Sequence, residues 1–148
     1  MYGNWLVNLA VAAATAGATI LCVLIHYEGL VLAFRGLTRF GHGRVKVLYA
    51  ISSILLLHIA QIWVFGLVLW SLLHWPEFGS LGVAALGLLD AVYFSAVTFT
   101  TVGYGDLTPS GPIRFLAGTE SLTGFVLIAW SASFTYLEME RYWRPKDR

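Results

Sequence analysis

The residues with the clearest chemical purpose lie between 98 and 106, in the order Thr98-Phe99-Thr100-Thr101-Val102-Gly103-Tyr104-Gly105-Asp106. A dehydrated cation in a narrow passage needs several oxygens at once. Backbone carbonyls supply them if the chain runs extended with every C=O turned to one side. Gly103 and Gly105, at alternate positions, allow backbone angles that a Cβ would forbid. The Thr101 hydroxyl adds one more oxygen at the inner end. The chemistry is therefore oxygen coordination by main chain, with no bond made or broken. No nucleophile–base set, no nucleotide loop and no His or Cys spacing for a metal cluster is found elsewhere, so an enzyme is not expected and no cofactor is called for.

Carbonyls at such a site must be shielded from bulk water, and the composition says by what. The chain of 148 residues is 58% hydrophobic and only 11% charged, with mean hydropathy +0.75. A soluble domain is about a quarter charged, so this is a membrane chain with room for one domain. A net charge of +1 argues against a nucleic-acid partner. The single cysteine, Cys22, excludes an intrachain disulfide framework.

Three segments are long enough to span a bilayer. The first runs from about Trp5 to Phe34; Trp5 to Ile25 alone, at ~1.5 Å per residue, crosses ~30 Å of hydrocarbon. With no basic residue before it, it reads as a permanent helix rather than a cleaved signal. Its small residues (Ala12, Ala13, Ala14, Ala16, Gly17, Ala18) suit close helix packing. A short basic loop follows at 35–46. The second segment runs from about Val45 to Trp75 and carries His58 and Gln61 on one face. A glycine-rich turret at 76–87 leads to a short helix over 91–100, with Asp90 as its expected N-cap. Too short to span, this helix must be re-entrant. Non-helical backbone after it, at membrane depth, is tolerated only when buried in protein or lining a water-filled path. The third span runs over 112–142, with Pro112 in its first turn, and a tail follows at 144–148. The expected fold is all-α: three transmembrane helices, a re-entrant helix and an irregular segment at 101–106. The division is 1–44, 45–143 and 144–148.

Basic residues orient the chain. The 35–46 loop holds Arg35, Arg39, Arg44 and Lys46; the end holds Arg141, Arg144, Lys146 and Arg148. Between the second and third spans only Arg114 is basic. The positive-inside rule puts the N-terminus and the 76–112 region outside, and the basic loop and C-terminus in the cytoplasm. Trp5, Trp70 and Trp75 outside, with Tyr142 and Trp143 inside, fit aromatic belts.

Thr101 to Asp106, set between two spans and behind a Thr-rich short helix, resembles the signature of the potassium channel pore-domain family. The likeness covers residues 45–140, the two-helix pore module; the first helix lies outside it, as in a prokaryotic type with one extra N-terminal span. The resemblance implies K+ as permeant ion, held between rings made by Thr101, Val102, Gly103 and Tyr104, with Gly105 completing the filter. One chain supplies one filter strand, so a homotetramer in the lipid bilayer is implied. Tyr93, Val97, Thr100 and Asp106 take the positions that support the filter. Many members carry Trp-Trp where this chain has Tyr93-Phe94, and some carry a glutamate where it has Val97. Tyr93 can still donate to Asp106, but no carboxyl pair with Asp106 is available.

On the last span, Gly124 matches a hinge position, with close packing as the equal alternative. Phe125, Ile128, Ala132 and Tyr136 share a face that either lines the pore or packs against the outer helix. Glu120 is a carboxyl inside a span; it faces the pore helix and bonds Ser95 or Thr98, either structurally or as an ion-tuning or proton-sensing group. No span carries the spaced arginines of a voltage sensor, and no ligand-binding domain follows the third span. His26, Glu28 and Glu138 are expected to gather near the inner membrane face as possible modulators, against the plainer reading of a leak-type pore. The function expected is passive K+ conduction. A potassium-uptake transporter subunit and a non-conducting regulatory subunit are the alternatives.

Overall fold

A computed structural model describes residues 4–37, 44–83 and 86–143, without the side chains of 138 and 141–143. Arg39 with the centre of the basic loop, the tail at 144–148 and the Glu138 side chain lie outside the described residues. Among the described residues there are four α-helices: α1 Trp5–Leu37, α2 Arg44–Leu72, α3 Leu88–Phe99 and α4 Ile113–Trp143. Helices α1, α2 and α4 are long and apolar enough to cross a membrane; α3 is not. Their outward apolar side chains, such as Leu9, Ile20, Leu24, Leu56 and Leu122, are exposed, as in helices solvated by lipid. The protein is an all-α, multi-pass membrane protein.

Each long helix buries one stripe. On α1 it is Val11, Thr15, Ala18, Cys22, His26, Leu30, Ala33 and Leu37, rising every three or four residues. This stripe packs α1 against α2 and α4 of the same chain. Of the six small residues expected to mediate packing, only Ala18 is buried; Ala13, Ala16 and Gly17 turn outward. A Cβ on Gly17 would meet nothing within 4 Å. Small size permits approach, but the helical period decides which small residues are used.

Helix α3 sits against α2 at Gly66, where an added Cβ would lie 2.9 Å from the Val92 Cα. The helix begins earlier than expected, at Leu88. Gly87 is its N-cap, and Asp90 is the third helical residue, its carboxylate accepting from the Gly87 N–H at 2.9 Å. Asp90 thus satisfies the helix start by reaching back from inside rather than by standing before it. At the other end Thr100 is the C-cap. Helix α2 likewise stops at Leu72, three residues short of the expected Trp75, and a 3₁₀ turn follows at Pro76–Phe78.

A short clasp closes the segment between α2 and α4. Ser80 and Ser110 exchange backbone hydrogen bonds of 3.3 and 2.9 Å, and their hydroxyls lie 2.9 Å apart. It is the anchor that ties the turret to the segment after the site. The core beneath it joins Phe65, Leu69, Leu81, Phe94, Phe99 and Leu116, with Val11, Ala18 and Cys22 of α1 packed on.

Candidate functional site

The last turn of α3 holds the 101–106 segment by its backbone. The Thr100 N–H and hydroxyl both reach the Ala96 carbonyl, at 3.1 and 2.7 Å. The Thr101 N–H donates to Thr98 O at 3.0 Å, and the Gly103 N–H donates to Val97 O at 3.0 Å. Val97 lacks a carboxyl, yet its carbonyl is the attachment point. From there the chain alternates. Thr101, Gly103 and Gly105 have φ of 60°, 56° and 83°, while Val102 and Tyr104 between them do not enter positive φ. In an ordinary strand successive carbonyls point to opposite sides. Alternating the hand of the backbone brings successive N–H groups to one side, and so the carbonyls to the other.

Two of the three left-handed positions are glycine, which adopts them freely. The third is Thr101, β-branched, for which such an angle costs about 1–3 kcal/mol. The residue types gave no warning of it. The anchoring bonds through Thr98 and Val97 hold it in place.

Around the segment the support residues divide by helix. The Tyr93 hydroxyl donates to Asp106 Oδ2 at 2.8 Å, tying α3 to the far end of the segment. Residues 101–106 are all exposed on the single chain, Tyr104 to 71%. An open cleft of about 400 Å³ lies behind them, lined by Val97, Thr98, Thr101, Leu107 and Ser121 among others. Among the described residues, no group of three or more His, Cys, Asp or Glu side chains is placed to hold a metal ion.

Helix α4 meets α3 along one seam. Glu120, fully buried, is hydrogen-bonded through Oε1 to the Ser95 hydroxyl, which also lies 2.8 Å from the Ile62 carbonyl of α2. Thr98, the other partner considered for Glu120, instead receives a 3.3 Å bond from Ser121. One turn on, Gly124 lies against the backbone of Phe99: an added Cβ would stand 2.7 Å from its carbonyl carbon. Close packing is thus the role the geometry gives Gly124. Phe125, Ile128, Ala132 and Tyr136 are exposed together on the single chain.

His26 is fully buried. Its Nδ1 is 2.9 Å from Gln61 Nε2 and its Nε2 is 3.4 Å from the Ser131 hydroxyl. Gln61 also takes His58 Nδ1 at 3.0 Å and donates to the Cys22 carbonyl at 3.3 Å. The His26 ring is tilted against those of His58 and Trp130, with centroids 5.6 and 5.0 Å away. This hub joins α1, α2 and α4. Glu28, two residues on, is exposed, because two residues turn a helix by roughly 200°. Ser131 and Trp130 were not singled out by sequence; a small hydroxyl in an apolar span was the available signal.

Residues 47–139, more than half of the chain, match the family model described as ion channel. Two-pore potassium channel 1 of Arabidopsis thaliana is 54% identical over 43 residues, 28% of this chain and 12% of its own length. The inward rectifier potassium channel Kirbac3.1 of Paramagnetospirillum magnetotacticum is 42% identical over 53 residues, 35% of this chain and 18% of its own. Protein LctB of Geobacillus stearothermophilus is 39% identical over 54 residues, 36% of this chain and 40% of its own. The chain thus spans well under half the length of these curated relatives. No solved structure matches it. The chain belongs to the ion channel family, as a membrane protein carrying a pore module of the potassium channel type.

Proposed function

We propose that the chain is one quarter of a K+-selective channel. Residues Thr101, Val102, Gly103, Tyr104 and Gly105 line its filter, and passive conduction runs along a fourfold axis. The observation that carries this is the alternation of left-handed backbone at Thr101, Gly103 and Gly105, rooted in the end of α3. Carbonyls aligned on one side replace a hydration shell when several chains face one another, and adjacent sites let ions displace each other in sequence. The negative end of the α3 dipole favours a cation at the same place. The permeant ion is K+, and no cofactor enters the mechanism.

Four chains follow from one filter strand per chain, since closed cyclic symmetry places the strands around an axis. The exposure of the whole 101–106 segment, and of the Phe125–Ile128–Ala132–Tyr136 face, supports that assembly. Those four side chains would line the inner pore. The N-terminus and filter face outside, and the basic loop faces the cytoplasm.

The test is reconstitution of the purified chain in liposomes, with flux driven by a K+ gradient and then by a Na+ gradient. A K+ flux well above the Na+ flux is expected. Equal fluxes would remove the selectivity assignment, and no flux would favour a regulatory subunit. Native mass measurement of the detergent-solubilised protein should give four chains.

A further inference from the structure

The α3–α4 seam contains one group whose protonation can be read from hydrogen-bond counting. Ser121 and Gly124 need no such treatment: a hydroxyl donates to a carbonyl, and a glycine admits a close backbone. Glu120 is different. It is a carboxyl with no exposure; among the described residues its Oε2 has no hydrogen-bond partner, and its Oε1 is hydrogen-bonded to the Ser95 hydroxyl alone.

Ser95 has a single proton to give. Its oxygen faces two others, Glu120 Oε1 on one side and the Ile62 carbonyl at 2.8 Å on the other. A carbonyl brings no proton. Were Glu120 a carboxylate, one proton would serve two oxygen–oxygen contacts. One contact would then be lone pair against lone pair at hydrogen-bond distance. A protonated Glu120 supplies the second proton and satisfies both contacts. It also accounts for Oε2, since the carbonyl oxygen of a neutral acid costs far less to bury unpaired than a charged oxygen does.

We infer that Glu120 is a neutral carboxylic acid that donates to Ser95, whose hydroxyl donates to the Ile62 carbonyl, so that one chain of hydrogen bonds crosses α4, α3 and α2. Glu120 is a positioning residue. It holds the back of the helix whose Val97 carbonyl, two residues beyond Ser95, holds Gly103. Its effect on conduction rests on the proposed channel function, while its protonation does not.

Four titratable side chains on the packed helices have described hydrogen bonds of their own. On α1 the Cys22 thiol reaches the Gln61 carbonyl at 3.8 Å and His26 meets Gln61; on α2 His58 meets Gln61; on α3 Tyr93 donates to Asp106. In none of these bonds is Glu120 the partner.

Infrared spectroscopy of the full chain in lipid vesicles at neutral pH tests the assignment. The C=O stretch of a protonated carboxylic acid is expected in the wild type and is expected to vanish in Glu120→Gln. An unchanged protonated-acid region in that variant, or loss of a carboxylate band instead, would overturn the inference. The same vesicles give the functional arm. Glu120→Ala and Ser95→Ala should lower K+ over Na+ selectivity by about tenfold, the scale of one lost buried hydrogen bond. Glu120→Gln, which keeps a donor, should restore most of it. Should Gln fare no better than Ala, the positioning role falls. The infrared band is read without ion flux, so a chain that conducts nothing would sink the channel reading while leaving the protonation standing.

Discussion

Gly124 on α4 lies directly on the Phe99 backbone at the end of α3, where a Cβ would come within 2.9 Å of the Phe99 Cα. Helices α3 and α4 are thus in backbone contact at Gly124, one turn past Glu120.

Gly124→Ala should therefore destabilise the fold rather than merely stiffen it. The new methyl group meets main chain, which cannot rotate away, and overpacking of this kind costs about 1–3 kcal/mol. A lowered unfolding midpoint in detergent is expected, read by loss of helical circular dichroism. A hinge role alone would leave that midpoint unchanged, because alanine is the better helix former.

Gly103→Ala should behave in the opposite way. A Cβ at Gly103 has nothing within 4 Å on this chain, and the cost lies in φ of +56°. Leaving the left-handed region would turn the carbonyl away from its neighbours at a cost of roughly 1–2 kcal/mol if resisted. Helix content should stay at the wild-type level while K+ over Na+ selectivity is lost, measured as paired liposome fluxes. Preserved selectivity would count against the carbonyl mechanism.

Tyr93→Phe removes one donor and nothing else. Asp106 then loses its 2.8 Å bond from α3, a small change for a site open to water. The expected outcome is a conducting channel whose flux decays sooner under a sustained gradient. Asp106→Asn should be milder than Tyr93→Phe, because an amide oxygen still accepts. The ratio of early to late flux in the two variants checks the order.

Gln61→Leu should loosen α1 from the pore module. Gln61 is fully buried and serves His26, His58 and the Cys22 carbonyl together. Losing it strands buried polar groups at about 1–3 kcal/mol. Cys22 reports the result, since it is the only cysteine and is fully buried. Alkylation by a membrane-permeant maleimide should be slow in the wild type and about tenfold faster in the variant. Equal rates would mean that apolar packing alone holds α1.

Much of this protein is legible along the chain because the signals are local. Span length and charge follow from the bilayer, and each can be counted in a window of ~20 residues. The glycines at 103 and 105 mark their own backbone. Capping was half legible: Asp90 was seen as a helix-start residue, but its reach back to Gly87 moved the boundary to Leu88. Thr101 was legible as an oxygen donor and illegible as a left-handed residue, since nothing in a threonine asks for φ of 60°.

The sequence by itself determined three spans, a short helix between the second and third, and a segment whose alternate glycines suit aligned carbonyls. All of these depend on neighbours within a turn or two. Only the tertiary structure decided that His26 is a buried hub, that Gly124 is a packing contact and that α1 lies on its own chain's α2 and α4. Each of those depends on partners from 25 to more than 100 residues away. The reason is that a helix offers several faces, and which one is buried is settled by the surface that comes to meet it. For the segment from Thr98 to Asp106 both sources were needed: the glycines permit the backbone, and the Val97 and Thr98 carbonyls hold it there.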